Sequence, residues 1–237
     1  MALQYHGIEM RFAALLLGLM ILGGCDSAPE PAHSAARESA PPSQPASPRD
    51  NRADNRPVIV AFGDSLTAGF GADPGKSYPD FLQQDLDRRA LRYRVVNAGI
   101  SGETTTDALE RLNTVIALKP VVVIVEFGGN DGLRGLPLST TRANLDQIVQ
   151  SLQNSGTQVL LAGMTLPPNY GPDYIAAFQN IFKDLAVKYK TPLIPFLLEG
   201  VAGTNRMQRD GLHATADGNR IVAGTVIKYL QPLLRRN

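Results

Sequence analysis

The segment from Pro57 to Asn237 predicts an α/β domain: a five-stranded parallel sheet covered by helices on both faces. Three observations carry that expectation. Short β-branched runs alternate with longer stretches of helical period. The run Val121 to Val125 (VVVIV) is apolar on both faces, as a central parallel strand is when helices cover it above and below. Small-residue segments rich in polar side chains follow the strands, at the carboxyl edge where open sheets of this kind bind ligands.

The first strand is Val58-Ile59-Val60, and the stretch after it places Tyr78, Phe81, Leu82 and Leu86 on one helical face. Tyr93 to Val96 (YRVV) predicts the second strand. Thr104 to Thr106 then opens a helix along which Leu109, Leu112 and Ile116 repeat, with threonine capping the first-turn amides. Val121 to Val125 is the third strand. A helix over about 138–154 leads through Ser155-Gly156 to the strand Gln158 to Leu161, and a helix over about 173–189 leads to Leu193-Ile194. The last helix begins near Ala214 and carries Val222, Val226, Leu230 and Leu233.

Ahead of this domain the 237-residue chain is of a different material. Residues 12–24 (FAALLLGLMILGG) are almost purely apolar behind Arg11, about half the length a membrane span needs. Residues 1–24 therefore read as a secretory signal, and Met10 offers an alternative start. The run ends Leu22-Gly23-Gly24-Cys25, which resembles a bacterial lipobox. Cys25 is the only cysteine, so it has no internal disulfide partner, and lipidation supplies its reason. An ordinary cleaved signal is the competing reading. From Asp26 to Arg56, 18 of 31 residues are Ala, Pro or Ser and none is aromatic or β-branched, a composition that cannot bury enough apolar surface to fold. Residues 25–56 thus form a lipidated tether, residues 57–237 the domain, and the whole is expected as an exported, periplasmic lipoprotein held at the membrane through Cys25. Asp26 favours the inner membrane, although sorting rules differ between bacterial groups.

Composition also excludes. A net charge of +1 leaves no basic patch for nucleic acid. The domain has neither an HExxH spacing nor a cysteine cluster, so no metal or other cofactor is expected. The segment Gly71 to Ser77 (GADPGKS) has three residues between its glycines where the nucleotide-binding loop needs four. Oligomeric state is open.

Four loops gather at the sheet edge: Gly63-Asp64-Ser65, Asn97 to Thr104, Gly128-Gly129-Asn130-Asp131, and Asp210-Gly211-Leu212-His213. Together they hold the parts for acyl transfer. A serine hydroxyl is a weak nucleophile until a neighbouring base takes its proton, and an imidazole titrating near neutrality suits that task. A carboxylate three residues away can hold the ring in one tautomer. The three histidines are His6 in the leader, His33 in the tether and His213, so a histidine used by the domain is His213. Ser65, Asp210 and His213 are the expected nucleophile, acid and base. Ser65 could alternatively cap a helix. Asp64 and Asp131 are expected as structural caps, Asp131 on the turn after Asn130.

These segments resemble the GDSL, or SGNH, hydrolase family. Four blocks stand in the family's order: GDSLTAG around Ser65, AGISGETT around Gly102, GGNDGLRG around Asn130, and DGLHA with His213. The resemblance implies a flavodoxin-like three-layer α/β/α sandwich. It also implies an oxyanion hole made by the Ser65 and Gly102 N–H groups and the Asn130 amide, each donor typically worth roughly 3 to 4 kcal/mol of barrier. Leu133, Arg134 and Gly135 extend the third block toward the bacterial branch with thioesterase, lysophospholipase and arylesterase activities.

Substrate choice rests on two loops. Thr165 to Pro172 carries Pro167, Pro168 and Tyr170 after a strand, and is expected to form a wall of the site through Tyr170. Phe196 and Leu198 precede the Asp/His loop and either line an acyl site or pack a helix. An apolar wall suits a fatty acyl ester, each buried CH₂ contributing about 0.8 kcal/mol. Two other readings stand beside the acyl esterase: a deacetylase of O-acetylated polysaccharide or peptidoglycan, and a non-catalytic surface binding module.

Overall fold

The computed structural model describes residues 54–234. The expected leader, Cys25 and nearly all of the expected tether lie outside the described residues. Among the described residues no helix is long and apolar enough to cross a membrane.

Five strands form one sheet: β1 (Val58–Gly63), β2 (Arg94–Gly99), β3 (Val122–Glu126), β4 (Gln158–Ala162) and β5 (Leu193–Ile194). All pair in parallel, in the order β2-β1-β3-β4-β5. This is the doubly wound, flavodoxin-like order, whose connections reverse between β1 and β3 and leave a crevice at their carboxyl ends. Helix α1 (Ser65–Ala68) and helix α2 (Tyr78–Arg88) follow β1. Helix α3 (Thr105–Ile116) follows β2, and helices α4 (Gly129–Leu133) and α5 (Leu138–Asn154) follow β3. Helix α6 (Pro172–Tyr189) joins β4 to β5, and α7 (Ala216–Leu230) closes the domain. Packing of α2 on α7, and of α3 and α6 on α5, forms the two outer layers.

The register explains why the loops converge. Gly63 pairs with Gly99 on one side and with Glu126 on the other, so β1, β2 and β3 end level. The central strand differs by one residue from its apolar run. Val121 is exposed, while Glu126 is fully buried at the strand's other end. In a strand apolar on both faces the pattern carries no boundary signal, and ladder pairing decides. Edge strand β2 likewise runs three residues past Val96, because Asn97 to Gly99 keep pairing with Ala61 to Gly63. Helix α7 starts two residues after Ala214, whose backbone bridges Met207, leaving Thr215 to cap Gly218 N–H.

Local signals set the other helix starts. Thr104 caps α3 and Asp107 returns a hydrogen bond to the Thr104 N–H, a reciprocal capping box. Ser77 and Asp80 do the same for α2. Asp131 behaves differently from the expected cap. Gly128 stands at the N-cap of α4 with no side-chain bond. The Asp131 carboxylate instead reaches α3, accepting from Thr105 N–H at 2.9 Å and Thr105 Oγ1 at 2.5 Å, and from Thr141 Oγ1 of α5 at 3.3 Å. It satisfies an unpaired first-turn amide of a neighbouring helix rather than its own. Asp131 is 1% exposed. Asp131→Ala is therefore expected to cost about 2 to 4 kcal/mol by stranding buried donors, read as a lower urea midpoint at unchanged slope. An unchanged midpoint would contradict this tie.

Candidate active site

Ser65 is the first residue of α1, immediately past the turn at Asp64. A Cβ on Gly63 would collide with the Thr67 hydroxyl and the Glu126 carboxyl, so only glycine lets the chain turn this tightly over β3. The Ser65 Oγ lies 2.8 Å from His213 Nε2, and His213 Nδ1 lies 2.6 Å from Asp210 Oδ2. The other oxygen of Asp210 accepts the N–H groups of Leu212 and His213, at 2.9 and 3.0 Å. One short turn therefore fixes both the carboxylate and the ring. Partial desolvation pushes the Asp210 carboxyl up. The bonds from the His213 ring and then the two backbone N–H groups outweigh that and hold it at about 2. The half-exposed Phe70 ring lies 4.6 Å from the imidazole, centroid to centroid.

Of the expected oxyanion-hole residues, Ser65 and Asn130 line one cavity with His213, and Gly102 stands outside that lining. The N–H groups of Ser65 and Gly102 have no acceptor among the described residues. Gly102 sits at φ +85°, a left-handed conformation that favours glycine, with almost no atom crowding its Cβ position. Its carbonyl accepts from Arg134 at 2.8 Å. The Asn130 amide is engaged on both sides, donating to Asp64 Oδ2 at 3.0 Å and to the Glu103 carbonyl at 2.9 Å. Glu103 is itself held by Arg111, which also donates to the Gly63 carbonyl and stacks over Phe62.

Asp64 does cap α1, accepting Leu66 N–H at 3.1 Å, and it also orients Asn130. Burial pushes its carboxyl up to about 6, against hydrogen bonds from Leu66 and Asn130 that pull the other way. Beneath it Glu126 is fully buried, and burial followed by the Asp64 charge drives its carboxyl well above the usual range.

A cavity of about 510 Å³ opens from this hydroxyl. Ser65, Asn130 and His213 line it together with the apolar Leu133, Met164, Leu166, Phe196, Leu198 and Leu212. Phe196 and Leu198 thus reach the cavity, and Leu198 also packs into the core. Tyr170 stands outside the lining. Its hydroxyl donates to the Leu133 carbonyl at 2.7 Å and its ring stacks on Tyr174, while Leu166, Pro167 and Pro168 of the same loop face the cavity. Sequence reasoning passed over Glu103, Arg111 and Glu126. Only Glu126 carried a readable signal: a carboxylate closing an otherwise apolar central strand. Among the described residues no cluster suited to a metal ion occurs.

The chain is similar to known proteins along most of the domain. Residues 61–221 match the GDSL-like lipase/acylhydrolase family. The chain is 42% identical to esterase TesA of Pseudomonas aeruginosa over 179 residues, which span 75% of this chain and 89% of that one. It is 37% identical to thioesterase 1/protease 1/lysophospholipase L1 of Escherichia coli over 182 residues, 76% and 86% of the two chains. A solved structure of the esterase EstA from Pseudoalteromonas sp., inhibited by monoethylphosphonate, superposes with a TM-score of 0.71 at 30% identity, covering 74% of this chain and 97% of that one. With the match spanning most of the domain and these relatives aligned along nearly their whole length, the chain belongs to the GDSL-like lipase/acylhydrolase family and is an ester-cleaving hydrolase.

Proposed function

We propose that the domain hydrolyses esters and thioesters of medium and long acyl chains through an acyl-enzyme on Ser65. The observation that carries this reading is the hydrogen-bonded string Asp210–His213–Ser65 opening onto an apolar cavity. His213 Nε2 takes the Ser65 proton as Oγ attacks the acyl carbonyl, and then delivers it to the departing oxygen or sulfur. Asp210 holds Nδ1 protonated and stabilises the imidazolium. Water repeats the sequence on the acyl-enzyme. The negative carbonyl oxygen is met by the Ser65 and Gly102 N–H groups. It competes with the neutral Glu103 carbonyl for an Asn130 proton, and a full negative charge is the stronger acceptor. That bond strengthens only as charge develops, which is where stabilisation accelerates a reaction.

The names of the two relatives, an esterase and a thioesterase/lysophospholipase, support acyl esters as the class. The cavity argues for chain length over acetate. An acetyl group would leave most of its apolar lining unused, whereas each methylene drawn in contributes about 0.8 kcal/mol. A series of p-nitrophenyl esters from acetate to palmitate, with matched acyl thioesters, should therefore show kcat/KM rising by roughly tenfold per added pair of carbons until the cavity is filled. Highest kcat/KM on acetate would overturn the acyl reading in favour of a deacetylase. Failure of a fluorophosphonate probe to label Ser65 would overturn catalysis altogether and leave a binding module.

A further inference from the structure

Glu126 is a group that the proposed reaction does not touch. It ends the central strand β3 with no exposed surface, and no salt bridge reaches it among the described residues. Its Oε2 accepts from Thr67 Oγ1 at 2.8 Å and from Asp64 N–H at 3.2 Å. Its Oε1 is buried without a donor. The groups facing it can be named element by element. The Asp64 carboxyl comes from the turn after β1. The Thr67 hydroxyl of α1 is backed by the Tyr78 hydroxyl of α2 at 3.2 Å. Asp64 also lines the cavity that holds the His213 ring. The Arg111 guanidinium of α3 is committed to Glu103 and the Gly63 carbonyl.

Two adjacent carboxyls in a dry site cannot both be charged without a cation between them. An ionised Glu126 would leave Oε1 an unpaired buried anion, the costliest arrangement available. A carboxylic acid resolves the contradiction, because its O–H is a donor and the Asp64 carboxylate beside it is an acceptor. We propose that Glu126 is a neutral acid that donates its O–H to the Asp64 carboxylate, and so acts as a positioning residue for Asn130 and for the N-cap of the helix carrying Ser65. The inference rests on the proposed reaction only for its kinetic consequence.

The order of the two acids agrees. Burial raises both, but Asp64 collects the Leu66 N–H and the Asn130 amide and stays at about 6, while Glu126 is held well above its ordinary range. Near neutral pH Asp64 is thus the anion and Glu126 the acid. Asp64 then keeps Oδ1 on Leu66 and Oδ2 on Asn130. Without the Glu126 donor the Asp64 carboxyl rises further, becomes protonated at higher pH, and grips the Asn130 amide less well.

The test compares the full chain with Glu126→Gln and Glu126→Leu. Infrared spectra at neutral pH should show the C=O stretch of a protonated carboxylic acid, shifted in D₂O and missing from Glu126→Gln. The Gln variant keeps a donor for Asp64 and an acceptor for Thr67, so its kcat should stay within a few-fold of the parent. The Leu variant should lose roughly 10- to 100-fold in kcat at unchanged KM, with the acid limb of kcat moved to higher pH. Absence of the acid band in the parent, or its survival in Glu126→Gln, overturns the proposal. A folded Leu variant with parental kcat and pH profile overturns it as well. If the Leu variant does not fold, the infrared comparison and the kcat of the Gln variant decide. Full activity in Ser65→Ala would sink the proposed reaction and leave the infrared result standing, so the two failures are distinguishable.

Discussion

Ser65→Ala is expected to lower kcat on p-nitrophenyl esters by about 10⁶-fold, with folding unchanged, and His213→Ala by a similar factor. The two should not add. In the proposed reaction the serine is a useful nucleophile only while the imidazole 2.8 Å away takes its proton, and both tasks of the imidazole in acylation, taking that proton and passing it to the leaving group, depend on the serine's attack. Removing either leaves the same remainder: two backbone N–H groups, the Asn130 amide and the cavity, which still bind substrate and the developing oxyanion. That remainder sets a floor about 10³- to 10⁴-fold above water in comparable sites. The double variant should therefore sit at the floor of either single one. KM should change little, because the cavity holding the acyl chain gains or loses nothing when Oγ is deleted. The Ser65 side chain makes no bond that supports the fold beyond the one to His213. Unfolding midpoints should accordingly agree with the parent, separating a chemical loss from a structural one. A single variant within 100-fold of the parent, purified free of contaminating esterase, would mean that another group attacks the carbonyl.

Much of this site was legible before any coordinates. Ser65, Asp210 and His213 sit in short glycine-containing segments after a strand or before a helix, which state both a backbone conformation and a position on the sheet edge, whereas Gly102 and Asn130 are singled out only by the resemblance of their blocks to the family's. Helix α5 was legible over about 138–154, its end punctuated by the Ser155-Gly156 pair. The unreadable parts are contacts between residues far apart in sequence. Nothing in GGNDGLRG says that both Asn130 protons are taken, since the acceptors lie on Asp64 and on the Glu103 carbonyl. Nothing near Asp131 says that its carboxylate serves α3, because the unpaired Thr105 amide becomes its neighbour only when β2 and β3 flank β1. Tyr170 was placed on the cavity wall from its loop alone. In the fold its ring has a better partner in Tyr174, and the apolar faces of Leu166 and the two prolines take the wall. Motifs report what a loop must do locally, and packing decides which of its side chains face the substrate.

Asp210→Asn should separate orientation from chemistry at a residue outside the cavity lining, with an expected loss of about 10⁴-fold in kcat. The substitution keeps Oδ1, so the N–H bonds from Leu212 and His213 that shape the turn survive. What changes is the atom facing His213 Nδ1. A carboxylate oxygen 2.6 Å away requires Nδ1 to carry the proton and leaves the Nε2 lone pair for Ser65. An amide can present its NH₂ instead, which makes Nδ1 the acceptor, puts the proton on Nε2 and points it at Oγ, where no base remains. The imidazolium formed during attack also loses its counter-charge. Stability should barely move at neutral pH, because the pair is partly exposed and solvent screens it. Its pH dependence has a definite sign. The folded-state carboxyl lies at about 2, below its ordinary value, so Asp210 contributes stability above roughly pH 4 and loses it as pH falls toward 2. Asp64 works in the opposite sense: raised to about 6, it withdraws stability as pH climbs from 4 through 6 and the buried carboxyl ionises. Acid inactivation between pH 6 and 4 should therefore be a loss of rate without a loss of fold, and it should be seen in the parent while unfolding midpoints stay level or rise. An Asp210→Asn enzyme within tenfold of the parent in kcat would show that the His213 tautomer is set by something other than this carboxylate.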